Sequence, residues 1–167
     1  MKLALKDFSS HYVHPLNLIE DALSAREWEF ERMAEESLMC ELDGRWCAYR
    51  LYFIWREDQE CLVTSCVIEA KIPDTYREAV EELIATVNPR VWMGHFEIPL
   101  DEDYPCFRYN LTLRGSAGLS PEQLEDVLEA ALLECDRFYP ALQFVLWGGK
   151  SPRDAAFAAM IDTVGEA

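Results

Sequence analysis

An Asp43-Gly44 pair set between two apolar segments constrains this chain more than any other feature of its sequence. Asp-Gly flanked by alternating apolar residues is a strong hairpin signal, because a two-residue type I′ turn needs positive φ at both central positions. Such a turn places Leu42 opposite Arg45, Cys40 opposite Cys47 and Leu38 opposite Tyr49. Side chains alternate along a strand, so Leu51, Phe53 and Trp55 continue the same face. A four-residue loop at residues 56–59 then brings Leu62, Thr64, Cys66 and Ile68 opposite Phe53, Leu51, Tyr49 and Cys47. This face is the expected core.

The opposite face carries Met39 and Glu41, then Trp46, Ala48, Arg50, Tyr52 and Ile54, then Cys61, Val63, Ser65, Val67 and Glu69. It too is mostly apolar, and a sheet with two apolar faces needs two covers. Large exposed apolar patches mark interaction sites, so Met39, Trp46, Arg50, Tyr52, Ile54, Val63 and Val67 are a candidate protein-binding face. The competing reading is a second layer of this chain's own helices.

At 167 residues the chain suits one domain able to bury a core without metal or disulfide staples. No apolar run approaches the ~20 residues that cross a bilayer, and MKLALKDFSS lacks the apolar stretch of a secretory signal, so a cytoplasmic location is expected. The formal net charge of −16, from 31 acids against 15 basic residues, argues against binding nucleic acid or anionic membrane. It favours solubility and can attract basic protein segments.

The six cysteines, at 40, 47, 61, 66, 106 and 135, have no zinc spacing, so no metal is expected. In the two-residue register, Cys40 and Cys47 are a hydrogen-bonded cross-strand pair with Cα atoms ~5.5 Å apart, which disulfide geometry permits. A cytoplasmic setting favours reduced thiols packed as small apolar groups.

The remaining elements are punctuated clearly. His14-Pro15 opens a helix with the stripe Leu16, Ile19 and Leu23 that ends near Arg26. Pro73-Asp74 stops the third strand, and Asp74 is expected to cap a helix whose buried side is Tyr76, Val80, Leu83, Ile84 and Val87, disrupted at Asn88-Pro89. HFEIPL after Gly94 reads as a strand, and from Cys106 to Arg114 the residues Phe107, Tyr109, Leu111 and Leu113 face inward. Ser120-Pro121-Glu122-Gln123 is a capping box that opens a long helix with Leu124, Val127, Leu128, Ala131, Leu132 and Cys135 inside. Its other surface, Glu122, Glu125, Asp126, Glu129, Glu134 and Asp136, reads as a solvated acidic face. Pro140 is expected to interrupt the helix, with a further segment over residues 141–147 closed by Gly148-Gly149, and Ser151 to cap a terminal Ala-rich helix reaching about Asp162. The fold class is therefore α+β, with an antiparallel sheet and helices in the order α-β-β-β-α-β-β-α followed by short C-terminal helices. It forms one domain over residues 1–167, with 1–13 a loose leading segment.

The runs RWCAYRLYFIWRED, GHFEI, FYPALQFVLWGGKSP and the closing DTVGEA resemble the bacterial YbjN-like family, whose members are described as regulators of sensory transduction. The resemblance covers roughly residues 15–167. It implies a fold like that of the type III secretion chaperones, with the element order already read from turns and caps. These runs contain no catalytic motif. Asn88-Pro89 departs from the family pattern by interrupting the second helix.

Catalytic readings lack chemistry. His95 and Glu97 share a strand face, which could pair an imidazole with a carboxylate, but no nucleophile or pocket accompanies them. Gly148-Gly149-Lys150-Ser151 superficially resembles a phosphate loop, yet Phe144 stands where the first Gly is required and a helix precedes it. No catalytic residue, cofactor or metal ligand is expected. Two functions follow: a non-enzymatic protein-binding or regulatory module, chaperone-like in fold, that meets another chain or a second copy of itself as a homodimer; or a small-ligand sensor with an aromatic pocket near Trp55, Trp92 and Trp147.

Overall fold

The computed structural model describes residues 13–162. The expected loose segment lies outside them save Val13, as does the DTVGEA run beyond Asp162. His14 caps the first helix, α1 (Pro15–Ala25), through its Nδ1, which accepts the Leu16 amide. Four strands follow: β1 (Phe30–Ala34), β2 (Ser37–Asp43), β3 (Ala48–Arg56) and β4 (Cys61–Ile68). After a 3₁₀ turn at Asp74–Tyr76 come α2 (Arg77–Val87), a further 3₁₀ turn at Asn88–Arg90, β5 (His95–Glu97) and β6 (Cys106–Thr112). Two helices close the described chain, α3 (Pro121–Leu146) and α4 (Pro152–Asp162).

The α+β class is what the structure shows: a fully antiparallel sheet in the order β1-β2-β3-β4-β6-β5. Strand β1 is an addition to the expected order. Its sequence, FERMA, alternates too weakly to stand out from the polar stretch around it, and it lies at the sheet's edge, where one side of the backbone needs no partner.

The β2–β3 register differs from that of a two-residue turn. Asp43 faces Ala48, Leu42 faces Tyr49, Cys40 faces Leu51 and Leu38 faces Phe53, so the connection is residues 44–47, closed by the Gly44 amide donating to the Cys47 carbonyl at 2.9 Å. Cys40 and Cys47 are accordingly not opposite each other. The reason lies in Tyr49. A Cβ on Gly44 would lie 2.0 Å from the Tyr49 ring, so glycine is required here by close approach of an aromatic side chain, and its φ is not positive. The next connection is also displaced: Trp55 faces Leu62, Phe53 faces Thr64 and Leu51 faces Cys66, with residues 57–60 as the loop. Both displacements move partners by whole pairs, which leaves the side chains within the strands on their expected faces.

All four helices lie on the side of that face: α1, α2 and α3 pack against the sheet, and α4 packs on α2 and α3. Leu16, Ile19 and Leu23 of α1, Val80, Leu83 and Val87 of α2, Leu124, Cys135 and Phe138 of α3, and Ala155 and Ala159 of α4 share one core with Leu38, Tyr49, Leu51, Phe53, Cys66 and Phe107. Asp74 gives no side-chain cap and Tyr76 is 40% exposed, because the 3₁₀ turn rotates both away from the α2 stripe. Glu134, expected on the solvated surface of α3, is instead buried, ion-paired to Arg137 at 3.1 Å. The terminal helix begins as read, with the Ser151 hydroxyl accepting the Asp154 amide.

Pro140 does not end α3, which continues for 26 residues through it. A proline inside a helix deprives the carbonyl four residues earlier of its donor. That carbonyl belongs to Asp136, and it accepts the Trp46 indole N–H at 3.0 Å. The Asp136 carboxylate meanwhile accepts the Tyr49 hydroxyl at 2.7 Å and the Arg45 amide at 3.0 Å. One residue of the helix thus holds the whole 44–47 connection, and the orphaned carbonyl that would make the proline costly is satisfied from 90 residues away.

Candidate functional site

With the helices on one face, the other face of the sheet is the candidate site. Strand register assembles it in rows. One row runs Glu31, Met39, Tyr52, Ser65, Arg108 and His95 across all six strands. The next runs Glu41, Arg50, Val67, Cys106 and Glu97, and the third Ile54, Val63 and Asn110. Met39, Arg50, Tyr52, Ile54 and Val67 are half-buried, while Val63, between Ile54 and Asn110, is buried. None of these six belongs to the core that the helices share with the sheet. Among the described residues, therefore, this chain's helices do not form the second cover.

Trp46 departs from the expected set. It stands in the 44–47 connection, not in a strand, with its indole bonded to α3 and the Arg45 guanidinium over its ring at 5.0 Å from the centroid. Its side chain is committed to the helical side of the sheet. The other six expected residues are brought together.

Two hollows bracket the apolar centre. At the β1–β2 margin a groove of about 410 Å³ is lined by Glu29, Phe30, Glu31, Met39, Glu41, Leu42 and Asp43. At the opposite end, a cleft of about 290 Å³ lies between Arg50, Tyr52, Val67 and Arg108 on the sheet and Pro99, Glu102 and Tyr104 of the β5–β6 connection. Arg50 is ion-paired to Glu69, and Arg108 to Glu97 at 2.9 Å, so both arginines on the face are neutralised locally. The carboxylates at the β1–β2 margin have no ion-pair partner among the described residues.

His95 and Glu97 do meet, Nε2 to Oε2 at 3.5 Å, and the Cys106 thiol lies 3.9 Å from the same carboxylate. This trio does not make a nucleophile. Burial, followed by the neighbouring Glu97 charge, pushes the Cys106 thiol up to about 12, so it is protonated at neutral pH, and Glu97 is anchored by Arg108. The sequence indicated the His95–Glu97 pair; Cys106 and Arg108 joined it only through strand register.

The aromatic pocket expected near Trp55, Trp92 and Trp147 is not formed. Trp55 is packed in the core, whereas Trp92 and Trp147 are 70% and 66% exposed. Lys150 lies over the Phe144 ring, 5.3 Å from its centroid, and follows the helix α3, not the strand that a phosphate loop needs. Among the described residues no group of His, Cys, Asp and Glu is placed to hold a metal ion, and no helix is long and apolar enough to cross a membrane.

Comparison with known proteins agrees with this architecture. The model of the YbjN family, described as "Putative bacterial sensory transduction regulator", matches residues 15–144. The structure is similar to that reported as "Crystal structure of YbjN, a putative transcription regulator from E. coli", with a TM-score of 0.52 and 11% identity over 72% of this chain and 85% of that one. At that identity the likeness concerns the fold. No curated protein matches the sequence.

Proposed function

Since the chain belongs to the YbjN family of bacterial regulators, we propose that it is a non-enzymatic regulatory module that acts by binding another polypeptide on the outer face of its sheet. The observation that carries this reading is the one-sided placement of the helices: the core draws on all four, and Met39, Tyr52, Ile54 and Val67 take no part in it. A face of this composition, apolar at its centre and charged at its margins, has the anatomy of a protein interface. The family's regulatory description and the absence of an activated nucleophile beside His95 support the non-enzymatic part. A chaperone-like mode of action and a cytoplasmic setting fit the same picture, with either another protein or a second copy as the occupant.

The test is capture of partners from extract by wild type and by a Tyr52→Ser/Ile54→Ser variant, with light scattering on each. Loss of capture or of self-association, with the far-UV spectrum unchanged, supports the reading. A wild type that is monomeric at high concentration and captures nothing overturns it.

A further inference from the structure

The two edges of the sheet are finished differently. At one end, the Asn88 side chain closes β5: its amide donates to the Phe96 carbonyl at 3.0 Å, and its oxygen accepts the Phe96 amide at 2.7 Å. Both outward-pointing groups of the edge strand's middle residue are thereby occupied. At the other end, β1 has β2 as its one neighbour, and among the described residues no side chain from another element bonds the backbone of residues 30–33. An edge left with its hydrogen-bonding groups free accepts an added strand.

The surroundings of that open edge select what can be added. The groove beside it is lined by Phe30, Met39 and Leu42 together with Glu29, Glu31, Glu41 and Asp43, and no basic residue is in its lining; Met39, Glu31 and Glu41 share the outer face. Arg32, the base within β1, turns away, held by Glu20 at 2.8 Å and by the Ala34 carbonyl. Two copies of this edge would set carboxylates against carboxylates. From this charge pattern we infer that the β1 edge and its groove dock an extended, lysine- or arginine-rich segment of another protein, which adds a strand to β1, sets its basic side chains among Glu29, Glu31 and Glu41, and rests an apolar side chain on Met39. The inference rests on the proposed outer-face reading and supplies its partner's chemistry. Met39 belongs both to the groove and to the apolar face, so the docked segment would be continuous with the remainder of the interface.

The probe is a fluorescein-labelled peptide of alternating Lys and Leu, titrated with the full chain and read by anisotropy. Its controls are an alternating Glu-Leu peptide and a Lys-Leu peptide N-methylated at consecutive amides, which retains charge but has donors on neither edge for pairing. Glu31→Lys/Glu41→Lys should weaken binding at least ~10-fold, the scale of one or two lost charge contacts. The charge-matched variant Asp126→Lys/Glu129→Lys, on the exposed side of α3, should change it less than ~2-fold. N-methylation should cost a further ~10-fold if backbone pairing contributes. Equal losses from the two double variants would show attraction to net charge alone and overturn the inference. So would binding of the Glu-Leu peptide, or indifference to N-methylation. If the margin variant behaves as wild type while Tyr52→Ser/Ile54→Ser still abolishes partner capture, the basic occupant is refuted and the outer-face reading stands.

Discussion

Replacing Asp136 with alanine tests how the hairpin is held. The Tyr49 side chain is fully buried, and its hydroxyl donates to the Asp136 carboxylate at 2.7 Å. The alanine removes that acceptor and also the one serving the Arg45 amide at 3.0 Å. The Arg45 amide lies in an exposed connection and can turn to water, so its loss costs little. The phenol cannot, and a buried hydroxyl without an acceptor costs about 1–3 kcal/mol, toward the upper end where the lost acceptor was charged. We expect Asp136→Ala to destabilise the chain by about 2–3 kcal/mol, read as a lower urea midpoint at constant m. Tyr49→Phe removes the donor and leaves a carboxylate that water can serve, at a cost of about 1 kcal/mol. The double variant should cost scarcely more than Asp136→Ala alone, a coupling of about 1 kcal/mol or more between contacting residues. Asp136→Asn, which keeps an acceptor oxygen, should recover most of the loss. An Asp136→Ala variant within about 0.5 kcal/mol of wild type, or strictly additive single costs, would refute the account of the connection.

Two further outcomes concern buried titratable groups. Burial, with smaller contributions from Cys66 and Asp136, raises the Cys47 thiol to about 11. Although half-buried, it should alkylate at pH 8 roughly two orders of magnitude more slowly than a free cysteine and accelerate about tenfold per pH unit up to pH 10; a glutathione-like rate at pH 8 would contradict this. Burial also raises the Glu134 carboxyl, against the opposing pull of Arg137. A carboxyl raised on folding favours the folded state when protonated, so its contribution is fullest below the unfolded pKa and is lost as pH rises through the folded one. Relative to Glu134→Gln, wild type should therefore be more stable at pH 4.5 than it is at pH 7.5, by thermal melts of both; a pH-independent difference would contradict the assignment.

How far the sequence reached depended on how local each determinant is. Faces were legible because alternation is local: Leu51 and Phe53 point to the core and Tyr52 and Ile54 away from it whatever their partners. Register was not, since the Asp43-Gly44 signal describes a two-residue turn in isolation, and Tyr49, Trp46 and Asp136 jointly stabilise a longer one. The same contacts explain why Pro140 fails to break α3. They span about 90 positions, beyond any local pattern. Strand β1 and the groove acids Glu29, Glu31 and Asp43 escaped because a polar edge strand resembles a loop in sequence; their charge was visible, their common location was not. Asn88 was read as a helix disruptor, and the strand it closes lies eight residues away.

The proposal stands or falls on whether the four helices leave the Met39 and Tyr52 side of the sheet open to a partner. Hydroxyl-radical footprinting of the dilute, full-length protein tests it most directly, because Met39 and Tyr52 on that face can be compared with Tyr49 and Phe53 on the helical face of the same strands. Met39 and Tyr52 should be oxidised readily while Tyr49 and Phe53 are protected, and Met39 and Tyr52 should become protected when a binding partner is present. Protection of Met39 and Tyr52 equal to that of Tyr49 and Phe53 in the isolated monomer would show that the chain covers the face itself, and would contradict it.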